Sequence, residues 1–183
     1  MKNIKLIFAG VLFTLSASFI GILLSGRVQL GSLGRAPAEE GGPLFPLREP
    51  GLAIQGRQVY ISLGCVACHT QQVRPASQGS DIAKGYGPRH SVARDYVLQS
   101  SVLLGSHRIG PDLANYGARV SSENEIHAHL RSPKAGSAMP SYDFLYTTGK
   151  EGAKVPTEKA TALVAYLKSL KIDYSSPEAK LNQ

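Results

Sequence analysis

The sequence predicts an all-α chain, with one apolar N-terminal helix able to span a membrane and a helical domain organised around a single pair of cysteines. Three observations predict it. No residue from Leu6 to Leu24 is charged. From Thr157 to Leu170, the residues Ala160, Leu163, Val164, Leu167 and Leu170 fall on one helical stripe. Both cysteines lie in one run, Cys65-Val66-Ala67-Cys68-His69.

The 183 residues allow one compact domain and an extension. At 43% hydrophobic and 18% charged, the composition is that of a folded chain. The formal charge of +7 is spread thinly, with acidic residues interleaved as in Lys150-Glu151 and Glu158-Lys159. No long run of like charge and no basic stripe with regularly placed aromatics occurs, which argues against nucleic-acid binding.

The apolar run Leu6–Leu24 would form a helix of roughly 28 Å, close to the hydrocarbon thickness of a bilayer. Thr14, Ser16 and Ser18 are compatible with it, because their hydroxyls can bond back to helix carbonyls. A cleaved signal peptide is the competing reading, with Ser16-Ala17-Ser18 as a passable cleavage site. Phe19 to Leu24 then continues the apolar length beyond what a signal needs, which favours a retained anchor. Lys2 and Lys5 before the span and Arg27 and Arg35 after it leave the positive-inside count nearly tied. Residues 1–26 are taken as the anchor. Residues 27–50 are rich in glycine and proline and show no apolar period, so they form a tether or an extended strap. Residues 51–183 form the domain.

Its first helix runs from Gly51 to about Leu63, with Gly56 and Tyr60 on one face. Ser122-x-x-Glu125 is a capping box opening a helix with Ile126 and Leu130 at i, i+4, ending before Pro133. His127 and His129 point to different faces of that helix and cannot share a metal. Thr157 caps the last helix. Gln78 to Gly87 has no period and reads as a loop over one edge of the site.

Two thiols three apart with histidine after the second form the attachment signal for a covalent c-type haem. Both sulfurs form thioethers with the porphyrin, and the imidazole becomes the proximal ligand of the iron. A redox dithiol should sit near a βαβ pattern, and a structural zinc site needs a second ligand pair; neither is visible. Haem c attachment in bacteria takes place outside the cytoplasmic membrane. It therefore places the N-terminus in the cytoplasm and the domain in the periplasm or its equivalent. A six-coordinate haem needs a further ligand. Met139, in Ala138-Met139-Pro140-Ser141-Tyr142, is favoured over His90, His107, His127 or His129, and it would raise the potential where a second histidine would lower it. Arg74 and Arg108 are candidates to pair with haem propionates, with plain surface solvation as the alternative.

The first and last helices resemble the crossed pair of class I cytochromes c, in which a glycine permits close approach and aromatics pack across it. Gly56, Tyr60 and Tyr166 stand in the matching places. Gly110-Pro111-Asp112-Leu113 resembles the cytochrome c segment whose proline carbonyl accepts from the ligating imidazole, which assigns that role to Pro111. The run Cys65 to Pro75 is similar to the haem segment of the membrane-anchored mono-haem subunit of cbb(3)-type cytochrome c oxidases, the C branch of the haem-copper oxidases. Gly105 to Leu113, Met139 to Tyr142 and Leu163 to Leu170 resemble later signatures of the same subunit, in order. Leu103-Leu104 stands where that family carries an aromatic and a tryptophan, and His107 stands where a lysine is usual.

The resemblance implies one covalently bound haem c and a subunit that passes single electrons to a catalytic haem-copper subunit. It implies further membrane cytochrome subunits beside it and a donor cytochrome. The chain has neither a copper ligand set nor a second haem motif, so it would not reduce oxygen itself. The alternatives are a freestanding tethered electron shuttle and the cytochrome subunit of a different respiratory complex.

Overall fold

The computed structural model describes residues 2–31, 33–149 and 152–181; Met1 and the Lys150-Glu151 pair lie outside them. The chain divides into two compact units, Met1–Gly34 and Arg35–Gln183.

In the first unit residues 2–30 are helical, with α1 (Lys2–Ser18) passing through a π-helical stretch, Phe19–Leu24, into α2 (Ser25–Leu30). Residues Asn3–Gln29 are long and apolar enough to cross a membrane, with a mean hydropathy of 2.3 and no buried side chain. Thr14 donates back to the Gly10 carbonyl at 2.8 Å and Ser25 to that of Gly21, so the hydroxyls are satisfied within the helix. Gly31, at φ 58°, ends the helix in a conformation that favours glycine.

In the second unit, α3 (Gly51–Ser62) crosses α7 (Glu158–Ser169). The crossing needs Gly56, where a Cβ would stand 1.8 Å from the Ala162 carbonyl oxygen. Tyr60 meets Tyr166 edge-on, with ring centroids 5.3 Å apart. These are the three residues that the helix spacing and the cytochrome resemblance single out. On α7, Ala160, Ala162, Leu163, Val164, Tyr166 and Leu167 are all buried, and Thr157 caps the helix by accepting from the Ala160 N–H. A second glycine, Gly117 in α5 (Tyr116–Arg119), lies against the other end of α7, where a Cβ would stand 2.0 Å from the Lys168 oxygen.

The capping box holds in part. Ser122 accepts from the Glu125 N–H and opens α6 (Glu123–Arg131), but the Glu125 carboxylate reaches Ser121, accepting from its N–H and hydroxyl at 3.0 and 2.8 Å. The reciprocal bond is displaced by one residue.

The domain is mostly helical rather than all-α. Two short antiparallel ribbons occur, β1 (Ala36–Pro37) with β2 (Leu44–Phe45), and β3 (Tyr146–Thr148) with β4 (Lys154–Pro156). Strands this short leave no alternation to read in a sequence. The first ribbon lies in the glycine- and proline-rich stretch. Phe45 stacks on Tyr174 at 4.3 Å, so residues 35–50 lie against the domain as a strap.

If the α3–α7 crossing carries the fold, Gly56→Ala lowers stability by about 3 kcal/mol. Thermal and denaturant melts followed by helical circular dichroism read the loss, and a conservative change at exposed Gln55 leaves the midpoint unmoved.

Candidate functional site

After α3 the chain must turn sharply to bring its next residues back across the helix end. Gly64, at φ 72°, makes the turn, and α4 (Cys65–Cys68) follows as a single helical turn carrying both thiols. The chain then leaves in extended conformation at His69.

Cys65, Cys68, His69, Pro111 and Met139 all line one cavity of about 650 Å³. The five come from three separate stretches of chain, and the volume lies within the range of cofactor pockets. Leu63, Leu113, Leu130, Leu163 and Leu167 supply much of the wall. Met139 itself is half-buried and packed against the main core. Its loop between α6 and β3 is irregular, as expected.

His69 is held on two sides. Its Nδ1 lies 2.8 Å from the Pro111 carbonyl oxygen. A carbonyl only accepts, so the proton sits on Nδ1 and Nε2 keeps a free lone pair. The ring also lies against the Gly110 backbone, where a Cβ would come within 2.3 Å of Cε1. Only glycine leaves room for the imidazole in this pose.

The residues fit a haem. Two thiols, an imidazole with its lone pair free and a thioether converge on an apolar cavity of sufficient size. Tyr60 also lines the cavity, with its hydroxyl buried away from it. Burial also raises the Cys65 thiol pKa, the reverse of what an activated redox dithiol requires.

Arg74 and Arg108 lie elsewhere. Neither lines the cavity, and both guanidiniums bind the buried carboxylate of Asp81. Arg74 donates to it through Nε at 3.1 Å and Nη2 at 2.9 Å, and Arg108 through Nη1 at 2.7 Å. The carboxylate opposite these arginines is therefore a protein one. The stretch Gln78–Gly87 contains Asp81 and packs through Ile82 and Tyr86 on Val73, Ala114 and Ile172. It does not cover the cavity.

Among the histidines weighed as ligands, His129 lines the cavity and His90, His107 and His127 do not. His127 bonds the Tyr146 hydroxyl at 2.8 Å, and burial lowers its pKa. Sequence reasoning missed Tyr116, Lys134 and Tyr142 in the lining. Tyr142 carried a signal, since it follows Met139 by three residues.

The model of one family, described as cytochrome c oxidase, mono-heme subunit/FixO, matches residues 49–182. No curated protein matches the chain.

Burial pushes the Asp81 carboxyl up, but hydrogen bonds from Arg74 and the charges of Arg108 and Arg74 outweigh it and bring the pKa to about 2. An unfolded aspartate titrates near 3.9. The stabilisation is thus complete above about pH 4 and is lost as the pH falls through about 2, and it is worth about 2 kcal/mol. In Asp81→Asn, urea melts should show that loss at neutral pH and a flatter acid limb between about pH 4 and 2.

Proposed function

The chain belongs to the FixO family, the mono-haem subunits of cytochrome c oxidase, and from that membership we propose that it is the membrane-anchored electron-transfer subunit of a cbb(3)-type oxidase. The family implies one haem and a catalytic subunit as partner. In this reading the haem is of c type, joined to Cys65 and Cys68 by thioethers. His69 and Met139 would hold its iron. The observation that carries it is the convergence of these four side chains on one cavity with the His69 Nδ1 proton already given to Pro111.

When bound, haem supplies a one-electron iron couple. The protein does the rest. Pro111 fixes the imidazole tautomer so that Nε2 faces outward from the bond, and Gly110 lets the ring lie flat. Met139 offers a soft, weakly donating sulfur, which favours the reduced state and raises the potential. Leu63, Leu113, Leu130, Leu163 and Leu167 exclude water from the wall, so little solvent has to reorganise when the charge changes.

The crossed helices at Gly56, with Tyr60 against Tyr166, support a class I cytochrome c domain. The apolar N-terminal helix supports membrane anchoring. The N-terminus is assigned to the cytoplasm and the haem domain to the outer side of a bacterial cytoplasmic membrane. There a donor cytochrome would deliver the electron, and the catalytic haem-copper subunit would take it.

Detergent solubilisation of native membranes, followed by haem staining, should yield the chain together with a multi-span protein containing b-type haem and copper. A stable, haem-loaded chain without such companions would instead make it a freestanding shuttle. In Met139→Leu, the haem should stay covalently attached on a denaturing gel while the far-red sulfur-to-iron band disappears and the midpoint potential changes.

A further inference from the structure

We propose that the buried carboxylate of Asp112 is a positioning residue for His69, keeping the imidazole in register with the Pro111 carbonyl and so setting how strongly the ring donates to iron. The inference rests on the reading in which His69 is a haem ligand. It goes beyond that reading in assigning the control of that ligand to a side chain outside the cavity.

Two segments run side by side here, Cys68-His69-Thr70 and Gly110-Pro111-Asp112. The Gly110 N–H donates to the Cys68 carbonyl at 3.0 Å, and the Leu113 N–H donates to that of Thr70 at 2.8 Å. The bond from His69 Nδ1 to Pro111 lies between these two. Asp112 is 1% exposed, and its carboxylate accepts from both segments. Oδ2 takes the Thr70 hydroxyl at 2.6 Å and the Gln72 N–H at 2.8 Å, while Oδ1 takes the Ala114 N–H at 2.9 Å. The residue directly after the imidazole is thus tied to the residue directly after its acceptor.

The two oxygens of one carboxylate meet all three donors. An amide would turn an NH2 group toward one side of the cluster and leave two donors facing each other. Charge makes these bonds short and strong. Arg108 offsets the charge from 3.9 Å away and donates to the Gln72 carbonyl, so the clip extends into the Asp81 cluster. Asp112 does not line the cavity, and it can act on the imidazole only through these neighbours.

The more firmly Pro111 holds the Nδ1 proton, the more electron-rich the imidazole becomes and the better it supports ferric iron. Loosening the Thr70–Asp112 clip lets the carbonyl withdraw, weakens donation and raises the potential.

The test uses the full-length, haem-loaded chain in detergent, read by its midpoint potential and by the g-values of low-spin ferric iron, which report imidazole orientation. Thr70→Val removes one bond without changing charge and should raise the potential and shift the g-values. Thr70→Ser should restore both, and Asp112→Asn should move both further in the same direction. Wild-type values for both readouts in Thr70→Val overturn the inference. So does an Asp81→Asn variant, which removes a nearby buried charge without touching Thr70, if it shifts the potential as far as Asp112→Asn does. A wild-type chain lacking covalent haem or the Met139-dependent band overturns the functional reading instead, and the two failures are thereby told apart.

Discussion

At Gly56 the α3 backbone approaches the Ala162 carbonyl so closely that a single methyl group would lie 1.8 Å from its oxygen. The remainder of the domain is arranged around that contact. It lets Tyr60 reach Tyr166 and fixes the end of α3, from which Gly64 turns the chain into the Cys65–Cys68 helix. It also sets the rotation of α7, so that Leu163 and Leu167 face the cavity that those cysteines line. Gly117 repeats the device at the far end of α7, where its N–H donates to the Leu170 carbonyl at 2.8 Å. A helix gripped by backbone at two points has little freedom to slide.

The long stretch between α4 and α5 is held differently. It has little regular structure, with a 3-10 turn at Ala93–Tyr96, and its backbone groups need partners from elsewhere. Buried carboxylates supply many of them. Asp81 gathers Arg74 and Arg108, Asp112 gathers Thr70, Gln72 and Ala114, and Asp95 takes both ends of the fully buried Arg89 guanidinium. Arg89 also donates to the Tyr174 carbonyl at 2.7 Å and lies over its ring, while the Tyr174 hydroxyl donates to Asp95. Desolvating such ions is costly, and removing one partner strands the other, so their contribution is to specify one loop path more than to add stability.

This division explains what the sequence made legible. Features written in adjacent or helically spaced residues were readable in advance. The cysteine–histidine run, the Thr157 cap, the Gly56–Tyr60 face and the lone downstream methionine are of this kind, and each depends on local chemistry. Pro111 became legible through resemblance, because nothing in a Gly-Pro-Asp tripeptide says where its carbonyl will point. The carboxylate clusters were not legible. Arg74 and Arg108 looked free for a haem propionate because Asp81 becomes their neighbour only once the loop has folded. The strap was legible only as one of two readings beside a tether, since the stacking of Phe45 on Tyr174 joins opposite ends of the domain. The ribbons were missed for a simpler reason: two or three residues carry no period.

The order of parts along the chain has a consequence for how the protein is made. The thiols sit near the start of the domain, whereas two of the leucines that wall the cavity belong to its last helix. Contacts so distant in sequence form late, after the loop between them has been closed. During synthesis from the N-terminus, Cys65 and Cys68 therefore emerge onto open chain before the rest of their pocket exists. The two thiols are thus open to chemistry first, and they are enclosed only when α7 arrives.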